Sequence, residues 1–244
     1  MPKRTENTFA VALITGSAMR LGREFALGLA KNGFNICIHY YTSKTEALEL
    51  ASEIETSFHK SVLLVKADIS KVSQIEAMMK QVVKKFGRID LLVNNASVFI
   101  KSGLEETTEE IWDKSLNTNL KGAFFCSKIA AKHMLKKGGG NIINIASLGG
   151  IKPFANYVPY SVSKAGLIML TKCLAKSLAP YILVNAIAPG TIEFENEKVN
   201  KNEKILLKEY TKASELADLV VFLATKNKHI TGQIISIDSG NSLI

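Results

Sequence analysis

The sequence predicts an α/β fold: one doubly wound domain over residues 1–244, with a parallel sheet of about seven strands and helices on both faces. Short, continuously apolar runs rich in β-branched residues recur along the chain, as buried parallel strands require. Stretches whose apolar positions repeat near every 3.6 residues separate these runs. A glycine turn, TGSAMRLG from Thr15 to Gly22, follows the first run directly.

Taken in order, FAVALIT (residues 9–15) is the first strand, and GREFALGLAKNG (22–33) is an amphipathic helix closed by Gly33. FNICIHY (34–40) and VLLVKA (62–67) follow as the second and third strands. VSQIEAMMKQVVKKFG (72–87) is helical and closed by Gly87, and IDLLVNNA (89–96) is the fourth strand. NIINIAS (141–147), ILVNAIAP (182–189) and QIISID (233–238) complete the set. No repeat, low-complexity linker or second domain interrupts this alternation. One segment breaks it. Residues 191–210, TIEFENEKVNKNEKILLKEY, are charged and poorly periodic, and they follow Pro189-Gly190 at a strand's carboxyl end. Ligands of such sheets bind at that end, so the segment is expected to be a substrate lid.

The length of 244 residues suits one large domain, and 47% apolar residues suffice for a sizeable core. No apolar run approaches the roughly 18 residues a membrane span needs. Lys3 and Arg4 before FAVALI superficially resemble a secretory signal, but the run is short and a phosphate-type turn follows it. The net charge of +9 comes mostly from lysines spread along the chain, without a basic run. That pattern predicts neither nucleic-acid nor membrane binding; it fits a solvated surface helpful to anionic cofactors. Two of the four arginines, Arg20 and Arg23, lie at the glycine turn and the start of its helix. Cys37, Cys126 and Cys173 read as reduced core thiols, and the four histidines never take i, i+4 ligand spacing, so no metal is expected. The expected location is cytoplasmic.

Gly16 and Gly22 leave backbone N–H groups and a helix N-terminus facing a phosphate. An NAD site places an acid after the second strand, to accept from the ribose 2′-hydroxyl. Here that stretch is His39, Tyr40, Tyr41, Thr42, Ser43 and Lys44, with Glu46 the first acid. Ser43, Lys44 and Arg20 favour a 2′-phosphate, so NADP(H) is expected over NAD(H). At the other end, Tyr160 and Lys164 form Y-x3-K, which stacks them one helical turn apart. An ammonium close by brings a phenol's pKa toward the working range. Ser147 ends the NIINIAS strand and is placed to converge with Tyr160 on one substrate oxygen.

With these motifs the chain resembles the short-chain dehydrogenase/reductase family nearly end to end. They stand here as Thr15-Gly16-x5-Gly22, Asp68, Asn94-Asn95-Ala96, Asn119, Ser147, Tyr160-x3-Lys164, Pro189-Gly190 and ITGQIISIDSG. The resemblance implies a Rossmann-type fold. It implies that Tyr160 protonates the substrate as hydride arrives from nicotinamide, and that Lys164 holds the nicotinamide ribose and tunes Tyr160. Ser147 hydrogen-bonds the reacting group, and Asn119 anchors a water relaying protons to Lys164. The implied cofactor contacts are Gly16, Arg20, Leu21, Gly22, His39, Tyr40, Ser43, Asp68, Asn95, Ala96, Lys164, Pro189 and Gly190. A homotetramer or homodimer is the family habit.

Within the family the chain looks similar to the pteridine reductase branch. TGSAMRLG matches its TGxxxRxG turn, IHYYTS its second strand end, and Asn94 to Phe99 its NNASxF segment. This resemblance implies a dihydropterin substrate held between nicotinamide and Phe99, with Arg20 and Ser97 at its edge. That branch commonly carries Asp where Ser147 stands. Serine is the ordinary family choice for ketones, and it supports the alternative of a 3-oxoacyl-[acyl-carrier-protein] or general ketone reductase. A non-catalytic NADP sensor is the remote alternative.

Overall fold

The structure is a computed structural model and describes residues 10–194 and 205–244. The strands form where the apolar runs lie: β1 (Val11–Ile14), β2 (Asn35–Tyr40), β3 (Val62–Lys66), β4 (Leu91–Asn94), β5 (Gly140–Ile145), β6 (Ile182–Pro189) and β9 (Ile234–Ile237). All pair in parallel, in the spatial order β3-β2-β1-β4-β5-β6-β9. The order reverses between β1 and β4, which opens a crevice at their carboxyl ends.

Among the described residues, seven α-helices lie between: α1 (Arg20–Lys31), α2 (Lys44–Phe58), α3 (Val72–Phe86), α4 (Glu109–Leu116), α5 (Ala123–Lys136), α6 (Val158–Leu178) and α7 (Ala213–Thr225). Alternation along β1 sorts them into two layers. Ala12 and Ile14 face a core containing Phe25 and Leu29 of α1, Leu50 and Ile54 of α2, and Val220 and Leu223 of α7. Val11 and Leu13 face the opposite core, with Met78 and Val82 of α3, Cys126 and Met134 of α5, and Ala175 of α6. Fully burying one such Leu or Phe contributes about 1.5–3 kcal/mol, and both faces are filled.

Two features were not expected. Residues Asn117–Gly122, joining α4 to α5, wind as a π-helix. The charged segment begins as β7 (Ile192–Glu193) and returns as β8 (Thr211–Lys212), a parallel pair separate from the main sheet. Residues 195–204 of the expected lid lie outside the described residues. Among the described residues, no helix is long and apolar enough to cross a membrane, and no cluster of metal-ligating side chains occurs.

Candidate active site

A groove of about 2010 Å³ runs along the carboxyl ends of the sheet. Its floor is knotted by one threonine. Thr15 Oγ1 accepts from the N–H groups of Asn95 (2.9 Å) and Ala96 (3.0 Å), which locks the end of β4 to the turn after β1. Asn95 Nδ2 donates back to the Thr15 and Gly16 carbonyls, at 2.9 and 3.0 Å. Gly16 takes a φ of +63°, and a Cβ at Gly22 would lie 2.2 Å from the Gly16 carbonyl oxygen. The backbone is therefore as close as it can pack.

Helix α1 opens with no side-chain cap at Met19 and no acid in its first turn. Its leading N–H groups and positive dipole end thus face the groove without a protein carboxylate, a cradle for a phosphate. Arg20, which the sequence places where a glycine is commoner, takes the left-handed conformation itself, with φ of 52°. Its guanidinium lies 4.5 Å over the ring of Phe194, just after β7. Arg20 therefore spans from the phosphate turn to the start of the charged segment. Beyond β2, Tyr41, Thr42 and Ser43 line the groove with no carboxylate among them, as a 2′-phosphate requires. Lys44 begins α2 with its side chain exposed. The residues fit NADP.

At the opposite end, Tyr160 of α6 and Ser147 at the end of β5 share a hydroxyl hydrogen bond. Burial pushes the Tyr160 phenol above its ordinary pKa, and the Ser147 hydrogen bond pulls the other way. The sequence expected Lys164 to dominate by lowering this pKa. Instead Lys164 Nζ donates to the Ile145 carbonyl at 2.7 Å and lies 5.6 Å from the centre of the Tyr160 ring. Burial lowers its own pKa to about 7, which thins its positive charge near neutrality. Tyr160 thus starts as a protonated phenol, the form a proton donor needs.

Most of the expected contacts line this groove: Gly16, Arg20, Leu21, Gly22, Ser43, Asp68, Asn95, Ala96, Ser97, Phe99, Ser147, Tyr160, Lys164, Pro189 and Gly190. The structure places three further expected residues as follows. His39 also lines it, but both ring nitrogens are used within the protein: Nδ1 accepts from the Gly16 N–H (2.9 Å) and Nε2 faces the Ala67 carbonyl (3.0 Å). Those partners fix the neutral ring with its proton on Nε2, and His39 braces the turn. Tyr40 packs against the α1/α2 core instead of the groove, because alternation along β2 points it away from His39. Asn119 sits behind the wall. Its Oδ1 accepts from the Val98 N–H at 2.8 Å, while Nδ2 donates to the Val98 carbonyl and Ser163 Oγ, both at 3.0 Å. Ser163 in turn donates to the Tyr160 carbonyl at 2.7 Å. Asn119 thereby ties the Ser97–Phe99 loop to the start of α6.

Phe99 is also engaged. Its ring stacks on Tyr157 at 4.1 Å and 4°, and meets Tyr160 edge-on at 4.6 Å. Tyr157 went unnoticed in the sequence, although its place on α6's approach to Tyr160 was a usable signal. Phe154, Phe194, Glu110 and Asp113 also line the groove without a motif to mark them.

Residues 10–204 match the family model for short chain dehydrogenase. The chain is 37% identical over 238 residues to a 3-oxoacyl-[acyl-carrier-protein] reductase of Staphylococcus epidermidis, covering 94% of this chain and 97% of the relative. Among solved structures, an acetoin dehydrogenase from Salmonella typhimurium superposes with a TM-score of 0.89 at 32% identity, covering 97% of both chains. A short chain dehydrogenase from Burkholderia cenocepacia, crystallised with NADP, gives 0.89 at 29% identity, covering 96% of this chain and 98% of the other.

Proposed function

The chain belongs to the short-chain dehydrogenase/reductase family, and from that premise we propose that it is an NADPH-dependent carbonyl reductase acting on 3-oxoacyl thioesters or small ketones. The observation that carries this reading is the meeting of the Tyr160 and Ser147 hydroxyls in the groove, with Lys164 buried beside them. The cofactor, when bound, supplies hydride to the carbonyl carbon. Ser147 orients the carbonyl oxygen, and Tyr160 gives that oxygen its proton. Lys164 anchors the ribose side and restores a proton to Tyr160, a role its pKa of about 7 suits at neutral pH. The turn at Gly16 and Gly22, with the open start of α1 and Arg20, would take the pyrophosphate. Ser43, Lys44 and Arg20 would meet a 2′-phosphate, Asp68 the adenine, and Asn95, Ala96, Pro189 and Gly190 the nicotinamide half.

The substrate class follows from three supports. Ser147 is a hydroxyl where pterin reduction favours a carboxyl group, the Staphylococcus relative is named as a 3-oxoacyl reductase, and a net charge of +9 suits an acidic carrier. The pterin reading needed a free stacking platform at Phe99, and Tyr157 already occupies one face. NADPH oxidation with an acetoacetyl thioester and with a dihydropterin, in wild type and Phe99→Ala, decides between them. The thioester should turn over and tolerate the substitution. Preferential dihydropterin turnover, lost selectively in Phe99→Ala, would restore the pterin assignment.

A further inference from the structure

The turn after β9 touches two walls of the groove and the arm that leads back to β8. Asp238 builds it, its carboxylate accepting from the Gly240 N–H (3.0 Å) and the Ser242 N–H (2.9 Å). Gly190, at the end of β6, lies so close that a Cβ there would meet the Asp238 Cβ at 2.8 Å. The Ser239 carbonyl accepts from Leu206 and Leu207 at 3.0 and 3.1 Å, which ties down the arm returning from the charged segment toward β8. Gly240 faces the Leu206 side chain.

The second wall is the loop between Ser147 and Tyr160. From it Lys152 Nζ donates to the Asn241 carbonyl at 2.9 Å, to Asn241 Oδ1 at 3.4 Å, and to the Ile244 carbonyl. One ammonium has three donors, and all are spent on a turn some 89 residues away in sequence. All three acceptors are oxygens of one turn, which distinguishes Lys152 from a lysine left to solvent.

We propose that Asp238–Ile244 is a bracket that fixes the substrate side of the groove, and that Lys152 is its positioning residue. By holding the turn, Lys152 sets the loop carrying Ser147 and Tyr160 against the arm Leu206–Tyr210, so that substrate meets both hydroxyls in register. The Lys152 bonds go to Asn241 and Ile244, while Gly190 is held separately by its own N–H donating to the Ile237 carbonyl at 2.9 Å, so the effect of Lys152 falls on substrate. The inference rests on the reductase reading for its kinetic consequence, but the mechanical link is independent of it.

Lys152→Met keeps the aliphatic stem and removes the donors, while Lys152→Arg restores them. With an acetoacetyl thioester, Lys152→Met should lower kcat/KM about ten-fold or more, with the NADPH dissociation constant unchanged and Lys152→Arg recovering most of the loss. Hydrogen exchange should show lost protection in residues 205–210, which Lys152 does not contact, as well as in its own loop. Deleting Ser242–Ile244 should reproduce both effects and combine with Lys152→Met less than additively. Unchanged kcat/KM in Lys152→Met, or a loss shared equally with NADPH binding, overturns the proposal. If the wild type turns over no carbonyl substrate, the reductase reading fails, and exchange decides the bracket: protection lost only within the Lys152 loop overturns it.

Discussion

At His39 a titratable ring serves as a brace, and that use makes stability depend on pH. Its nitrogens join the turn after β1 to the end of β3, and burial lowers its pKa from 6.5 to about 4. Between those values the unfolded chain binds the proton and the folded chain does not, so stability rises with pH across the window. The contribution is fully present above pH 6.5 and is lost as pH falls toward 4, by about 3 kcal/mol in all. His39→Gln retains one acceptor and one donor but cannot titrate. Its melting temperature should therefore fall less steeply than wild type's between pH 6.5 and 4, and parallel curves would show that His39 is not the titrating brace. None of this was legible in the sequence. His39 stood in a stretch that resembled a cofactor contact, and only the register of β1, β2 and β3 reveals that its partners are backbone atoms. Tyr160 and Lys164 were legible, because helical spacing alone fixes their proximity. The direction of the Tyr160 pKa was not, since burial outweighs the Ser147 hydrogen bond that opposes it.

Among the elements, the turn leading into α1 has the least room for change. A Cβ at Gly22 would lie 2.2 Å from the Gly16 carbonyl oxygen and 2.8 Å from Asn95 Nδ2, so Gly22→Ala must displace backbone at the phosphate cradle. The expected outcome is at least a ten-fold loss of NADPH affinity by titration calorimetry, accompanied by a lower melting temperature. Wild-type affinity in Gly22→Ala would mean that the cradle lies elsewhere. The seven strands of the main sheet formed on the apolar runs that announced them, β5 starting one residue early at Gly140, because a strand buried between two helical layers must be largely apolar. The π-turn at Asn117–Gly122 carried no such mark. Its NTNLKG sequence resembled a motif, and in the fold it carries Asn119 and brings Gly122 against Ile69. The bracket at Asp238–Ile244 was equally hidden, since Lys152 reads as one more surface lysine until the fold places it beside Asn241.

Across the whole molecule, the proposed reading divides the labour between two ends of one groove, with phosphate recognition at the start of α1 and proton transfer at the start of α6. The carboxylate-free stretch after β2 predicts that NADPH outbinds NADH by about ten-fold, or about 1.4 kcal/mol, in parallel titrations; equal affinities would remove the assigned roles of Arg20, Ser43 and Lys44. In the proposed reaction the hydroxyl of Tyr160 delivers the proton, while its ring holds the edge contact with Phe99. Tyr160→Phe deletes that hydroxyl and keeps the packing. Steady-state NADPH oxidation with an acetoacetyl thioester, compared between wild type and Tyr160→Phe at matched NADPH occupancy, isolates the step. Robust wild-type turnover with a loss of roughly 10²–10⁴ in the variant is the expected result. Near wild-type turnover by Tyr160→Phe would contradict the assignment of Tyr160 as the proton donor.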